Sequence, residues 1–169
     1  KSDVQIAFVL GGTSDGKHAP GLLSLGAVYN NPYWIFYSSN ETLEQLSQLI
    51  GKRIAVGPEG SGTRAAAVQI LGKAGVNSQS ATLLSLGGSD AVEAMNDGRL
   101  DAVWIFGAPD STAVRSFLNN PKVRIMGFQT AEAFTRIFPE LAHLVLPQGV
   151  IDIYRNIPPN DVPLIGSTS

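Results

Sequence analysis

At 169 residues the chain suits one domain or two small lobes, and its formal net charge of −2 gives no sign of a nucleic-acid partner or an anionic membrane surface. It contains no cysteine, which excludes thiol catalysis, disulfides and thiolate metal sites. Apolar residues make up 44% of the chain, enough for a real core, yet no apolar run reaches transmembrane length.

Apolar runs alternate with helical periods along the chain. Val4–Leu10 reads as a buried strand, followed by the polar turn Gly11–Gly16. Leu22–Tyr29 and Tyr33–Tyr37 read as two strands broken at Asn30, Asn31 and Pro32. The second is an aromatic strand; alternation sets Tyr33 and Tyr37 on one face and Trp34 and Phe36 on the other. One of those faces can wall a pocket, and the competing role is core packing. Leu43, Leu46, Leu49 and Ile50 carry a short helical stripe. The strand Arg53–Val56 leads into a glycine-rich turn and a helix from Thr63 to Lys73, which Gly75 ends. Thr82–Leu86 is the next strand, and Gly87-Gly-Ser-Asp90 opens a further helix that stops at Asp97-Gly98. Leu100–Phe106 is a strongly apolar strand that turns at Gly107-Ala-Pro-Asp110 into a helix over Ser111–Leu118. Strand Val123–Gly127 and helix Thr130–Phe138 follow. Beyond Pro139 the pattern is less regular, with strands expected at Leu144–Leu146 and Val150–Tyr154 and a loop at Ile157–Asn160.

From Arg53 to Met126 strands alternate with helices, so the expected class is α/β, a mostly parallel sheet flanked by helices. Ligands of such sheets bind beyond the carboxyl ends of the strands, where the turns at Gly57, Gly87 and Gly107 fall. The run Gly57-Pro-Glu-Gly-Ser-Gly-Thr-Arg64 is the richest of these turns. Its glycines permit tight geometry and close ligand approach. Ser61 or Thr63 can cap the following helix. A helix start presents unpaired N–H groups and a positive dipole end, which suit a carboxylate or similar anion. The run is not a P-loop, because Thr63 stands where the lysine belongs and Glu59 adds negative charge. It is not a nucleophile elbow either, since Ser61 lacks the G-x-S-x-G setting. Arg64 can reach an anionic ligand or pair with Glu59. Asp90 and Asp110 sit where helix caps belong, Asp97 precedes a glycine turn, and His18 and His143 lack metal-ligand spacing. No catalytic residue, metal or cofactor is therefore expected.

Together these segments resemble the TAXI family, the substrate-binding proteins of one class of TRAP transporter. The resemblance rests on Val9-Leu-Gly-Gly-Thr-Ser-Asp15, on Leu25-Gly-Ala-Val-Tyr29 with Trp34-Ile-Phe-Tyr37, on Gly57–Arg64, on Asp97-Gly-Arg-Leu-Asp-Ala-Val-Trp-Ile-Phe-Gly107, and on their order and spacing. It implies two α/β lobes joined by crossing hinge strands, the type II periplasmic-binding fold, with the ligand held between lobes. On this map residues 1–38 are the end of lobe one and a hinge strand, 39–127 are lobe two, and 128–169 return through the hinge toward lobe one. Most of lobe one is absent, and the strand-like character of both ends suggests a piece of a longer polypeptide. The implied ligand is a small organic acid or acidic amino acid, passed to a TRAP permease outside the cytoplasm, in the periplasm or tethered to the membrane. The implied site takes Gly12 and Thr13 from one lobe and Glu59, Ser61, Gly62, Thr63, Arg64 and Gly107 from the other, with Tyr33 or Trp34 against the ligand's carbon skeleton. The irregular segment 139–169 can pair with a second copy to cover apolar surface. Two other readings remain open on the residues alone: an α/β enzyme acting on a small anionic substrate, and an effector-binding domain of a transcription regulator.

Overall fold

The aromatic run Asn30–Tyr37 forms the central strand β1, and the sheet is built outward from it. The computed structural model describes Leu23 and residues 30–168. The expected strand Val4–Leu10, the turn Gly11–Gly16 with Gly12 and Thr13, His18, and the strand Leu22–Tyr29 lie outside the described residues, apart from Leu23. After β1 come β2 (Arg53–Ala55), α1 (Gly62–Lys73), β3 (Thr82–Leu84), α2 (Gly88–Asn96), β4 (Ala102–Phe106), α3 (Thr112–Leu118), β5 (Arg124–Met126), α4 (Ala131–Ile137), β6 (Leu141–Leu146) and β7 (Val162–Thr168). The fold is a mixed α/β sheet flanked by helices, with strand order β3-β2-β4-β1-β7-β6 and β5 also on β1.

Only the β3-β2-β4 block is parallel. β1 runs antiparallel to β4, β5 and β7, and β7 antiparallel to β6. The expectation of a mostly parallel sheet thus holds for the β-α-β stretch that suggested it and not for the strands around it. Strand direction depends on where a chain re-enters the sheet, which hydrophobic periodicity does not encode. The expected break at Asn30–Pro32 is absent too: β1 runs through it, paired with β7 from Asn30 to Tyr33 and with β4 from Tyr33 onward. Pro32 loses a donor but keeps its carbonyl, which accepts from Gly107 N–H at 3.2 Å.

Several boundaries also move. The stripe from Leu43 to Ile50 is a single 3-10 turn, Leu46–Leu49, whose two leucines are buried. Val150–Tyr154 is not a strand; it lies in a looped segment closed by one bridge between Asp152 and Ile157. The N-caps of α2 and α3 are Gly87 and Ser111, so Asp90 stands in the first turn of α2 and Asp110 lies one residue ahead of a cap. Asp101 has a different role again. Arg53 clasps it through Nε at 3.1 Å and Nη2 at 2.8 Å, tying β2 to the approach of β4. That hydrogen bonding holds the Asp101 carboxyl below its usual range.

The core closes on both faces of β1. Tyr33 through Tyr37 are all buried. Trp34 and Phe36 stack on one face, and Phe36 reaches Phe117 of α3. On the other face Tyr33 meets Trp104 and Phe106 of β4, and Trp104 meets Phe128 edge-on. Burial raises the Tyr33 phenol from 10.0 to about 12, against a lowering hydrogen bond with the buried Ser167 side chain of β7. Because the folded state holds this proton more tightly than the unfolded chain does, the contribution is complete below pH 10 and is lost as pH rises from about 10 to about 12. Urea midpoints measured across that window should fall more steeply for the wild type than for Tyr33→Phe. Equal slopes would place the phenol in solvent.

Candidate functional site

Because β2, β3 and β4 are parallel, their carboxyl ends share one edge of the sheet, and the turns leading to α1, α2 and α3 gather there. The first two turns touch. Gly57 N–H donates to Leu86 O at 3.0 Å, and a Cβ placed on Gly87 would stand 2.9 Å from Pro58 Cδ. Gly57 has φ +98°, and a Cβ there would meet Ser61 Oγ at 3.2 Å and Arg64 N at 3.3 Å, so only glycine suits the position.

Ser61 is the N-cap of the twelve-residue α1. Its hydroxyl oxygen accepts from Arg64 N–H at 3.2 Å, and its hydrogen goes to Pro58 O at 2.7 Å. The side chain is thus occupied in shaping the turn, and a ligand would have to displace the Pro58 bond to receive its proton. What remains open is backbone. The N–H groups of Gly62 and Thr63, the first two of the helix, have no hydrogen-bond partner among the described residues, as the first turn of a helix requires. Both residues are partly exposed. The positive end of the α1 dipole lies at the same point.

Two charged groups border these amides. Glu59 is exposed and accepts from Ser85 Oγ at 3.3 Å. Arg64 Nη2 lies 3.7 Å from Glu59 Oε1, which is a loose pair, while Arg64 Nη1 is buried with no hydrogen-bond partner among the described residues. Arg64 therefore retains donor capacity after meeting Glu59. Ser85 was not singled out by sequence; its signal would have been its place in the turn between β3 and α2, opposite Glu59.

The remaining expected site residues are placed elsewhere or turned inward. Gly107 uses both backbone groups internally: its N–H donates to Pro32 O, and its carbonyl accepts from Trp34 Nε1 at 2.8 Å. Tyr33 and Trp34 are 1% and 0% exposed, so neither ring is open to a ligand in this conformation. Both belong to the core, because the sheet is covered on the two faces across which the strand alternates. His143 is exposed on β6, and no cluster of three His, Cys, Asp or Glu side chains able to hold a metal occurs among the described residues. No helix among them is long and apolar enough to cross a membrane.

The fold and this edge define an α/β protein with a glycine-shaped helix start whose free amides and adjoining arginine suit an anion. The model of the NMT1-like family matches residues 12–168, and the chain belongs to that family. A comparison with curated proteins gave no significant match. Among solved structures, the chain is similar to the periplasmic aliphatic sulphonate binding protein SsuA from Escherichia coli at 22% identity, covering 56% of this chain and 31% of that one with a TM-score of 0.47. It is similar to the amino acid ABC transporter substrate-binding protein AbpA from Streptococcus pneumoniae, bound to L-arginine, at 16% identity, covering 85% and 46% with a TM-score of 0.46. An ancestral arginine-binding protein gives 23% identity, 60% and 42% coverage and a TM-score of 0.45. The chain thus spans less than half the length of each of these proteins.

Proposed function

We propose that this chain is one part of a solute-binding protein, a non-enzymatic component that delivers a small organic acid or acidic amino acid to a membrane permease outside the cytoplasm. The observation that carries the reading is the pair of free amides at Gly62 and Thr63, set at the converging turn edge with an unfilled donor on Arg64. Glu59 favours a ligand that also carries a cationic or hydroxyl group, as an acidic amino acid does. The TAXI resemblance of the Gly57–Arg64 and Asp97–Gly107 segments supports a TRAP-type permease as the recipient.

The division into 1–38, 39–127 and 128–169 is part of the same reading. Register supports it: Asn30 at the start of β1 pairs with Thr168 at the end of β7, and Tyr33 pairs with Phe106, so both strands leave the sheet at the edge where β4 ends. A second lobe reached through those strands would face the Gly62 amides. Thr13 is retained as its contribution, whereas Ser61 becomes a shaping residue and the amides the donors.

Amide NMR on the 169-residue chain tests this directly. Addition of glutamate, succinate or ethanesulfonate should move the Gly62 and Thr63 resonances, while chloride at the same ionic strength should not. With one wall of the site present, dissociation constants of about 1 mM are expected, equivalent to roughly 4 kcal/mol. Still resonances at these two positions, with or without shifts elsewhere, would end the proposal.

A further inference from the structure

Two features at the opposite edge of the sheet play no part in anion binding. The first is a projecting tip between β6 and β7. Its base is ordered by bonds from Ile151 N–H to Ile157 O at 2.9 Å, from Gly149 N–H to Pro158 O at 2.9 Å, from Ile157 N–H to Asp152 O at 2.9 Å, and from Gln148 N–H to Asp161 Oδ1 at 2.7 Å. Above that base Ile153 is 88% and Tyr154 99% exposed. A braced loop that presents an isoleucine and a tyrosine to water holds a contact residue in place at little entropic cost. The second feature is a cleft of about 470 Å³ with Leu118, Val123 and Pro159 among its apolar walls and Glu44, Arg124 and Asp161 among its charged ones. Tyr37 pairs with both Ala102 and Arg124, and Leu146 with Val162, so cleft and tip both lie where β4 begins, away from the glycine turns.

We propose that the chain self-associates by seating the Ile153–Tyr154 tip of each copy in the cleft of the other. The charges are complementary. Arg124 is exposed, is tethered by one bond from Nη1 to Thr42 Oγ1 at 3.2 Å, and has no ion pair among the described residues. The tip carries Asp152 to meet it and the exposed Arg155 to meet Glu44 or Asp161, at the cost of a loose internal pair of 3.7 Å. The connection is also reciprocal. Ile157–Pro159 joins the tip to β7 and forms part of the cleft wall, so a two-fold axis repeats the same contact and closes the assembly at two copies. This inference stands apart from the anion site and does not depend on it.

Sedimentation of the 169-residue chain tests the proposal with variants that divide the two halves. Tyr154→Asp removes the tip and leaves the cleft; Leu118→Trp fills the cleft and leaves the tip. Each should weaken dimerisation by roughly 30-fold or more, as loss of a central aromatic contact does. Mixing them restores one intact contact per pair, so the mixture should associate more tightly than either variant alone. Arg124→Glu, on an exposed side chain, serves as a second cleft variant should Leu118→Trp disturb the fold. A wild type that stays monomeric up to about 0.5 mM, weaker than any specific pairing of this kind, overturns the proposal. So does a mixture that gains nothing over its components, which would mean that tips pack on tips or on another protein.

Discussion

Replacing Trp34 with alanine should lower the stability of the chain by about 4–5 kcal/mol. The indole is fully buried, stacks on Phe36 with ring centroids 5.8 Å apart, and gives its N–H to Gly107 O. Alanine removes the largest class of core side chain and also strands the Gly107 carbonyl, which opens the turn after β4. Trp34→Phe separates the two effects: most of the packing survives and the hydrogen bond is lost, for a cost of about 1–2 kcal/mol. Urea unfolding followed by far-ultraviolet circular dichroism measures both. A ligand-wall tryptophan would behave in the opposite way, with small stability changes and a large loss of binding, so the pair of variants tells the core role from the pocket role.

Gly166→Ala should cost about 3 kcal/mol, at the upper end for overpacking a tight site. Gly166 lies in β7 between Pro32 of β1 and Ala142 of β6. A Cβ at this position would run into Leu144 Cδ1 and would stand 2.8 Å from Asn31 O. The leucine methyl can turn aside, but the Asn31 carbonyl belongs to the backbone of β1. Relief therefore means pushing β1 and β7 apart over Asn30–Tyr33, the stretch through which they pair. Hydrogen exchange should show that stretch losing protection ahead of the β2–β3–β4 block. Unchanged stability would mean that the two strands are not in close register. The same variant bears on the proposed hinge, since a loosened crossing would alter the approach of a second lobe without touching the Gly62 amides.

Sequence made the glycine turn before α1 legible because its signals are local. Gly57 and Gly60 adopt positive φ, Ser61 caps α1, and Gly75 at φ +77° follows its end. These outcomes depend on residues within a few positions of one another, as propensity and capping do. The Ser61 hydroxyl is occupied by equally local contacts: a cap that both accepts from Arg64 and donates to Pro58 has no proton left over.

The chain's sequence alone determined the α/β class, most of the strand and helix cores, and the place where a helix start is freed by glycines. Hydrophobic period, chain punctuation and backbone freedom are properties of short segments, and they survive folding unchanged. The tertiary structure alone decided that β1 runs antiparallel to its neighbours, that Tyr33 and Trp34 are core side chains, and that Ile153 and Tyr154 project into solvent. Each of these follows from which distant segment lies alongside: β7 and β4 on β1, α3 over Phe36, and nothing within the described residues over the tip. An aromatic side chain has the same transfer free energy in every setting, and only the neighbours brought by the fold determine whether it becomes core, pocket wall or contact surface.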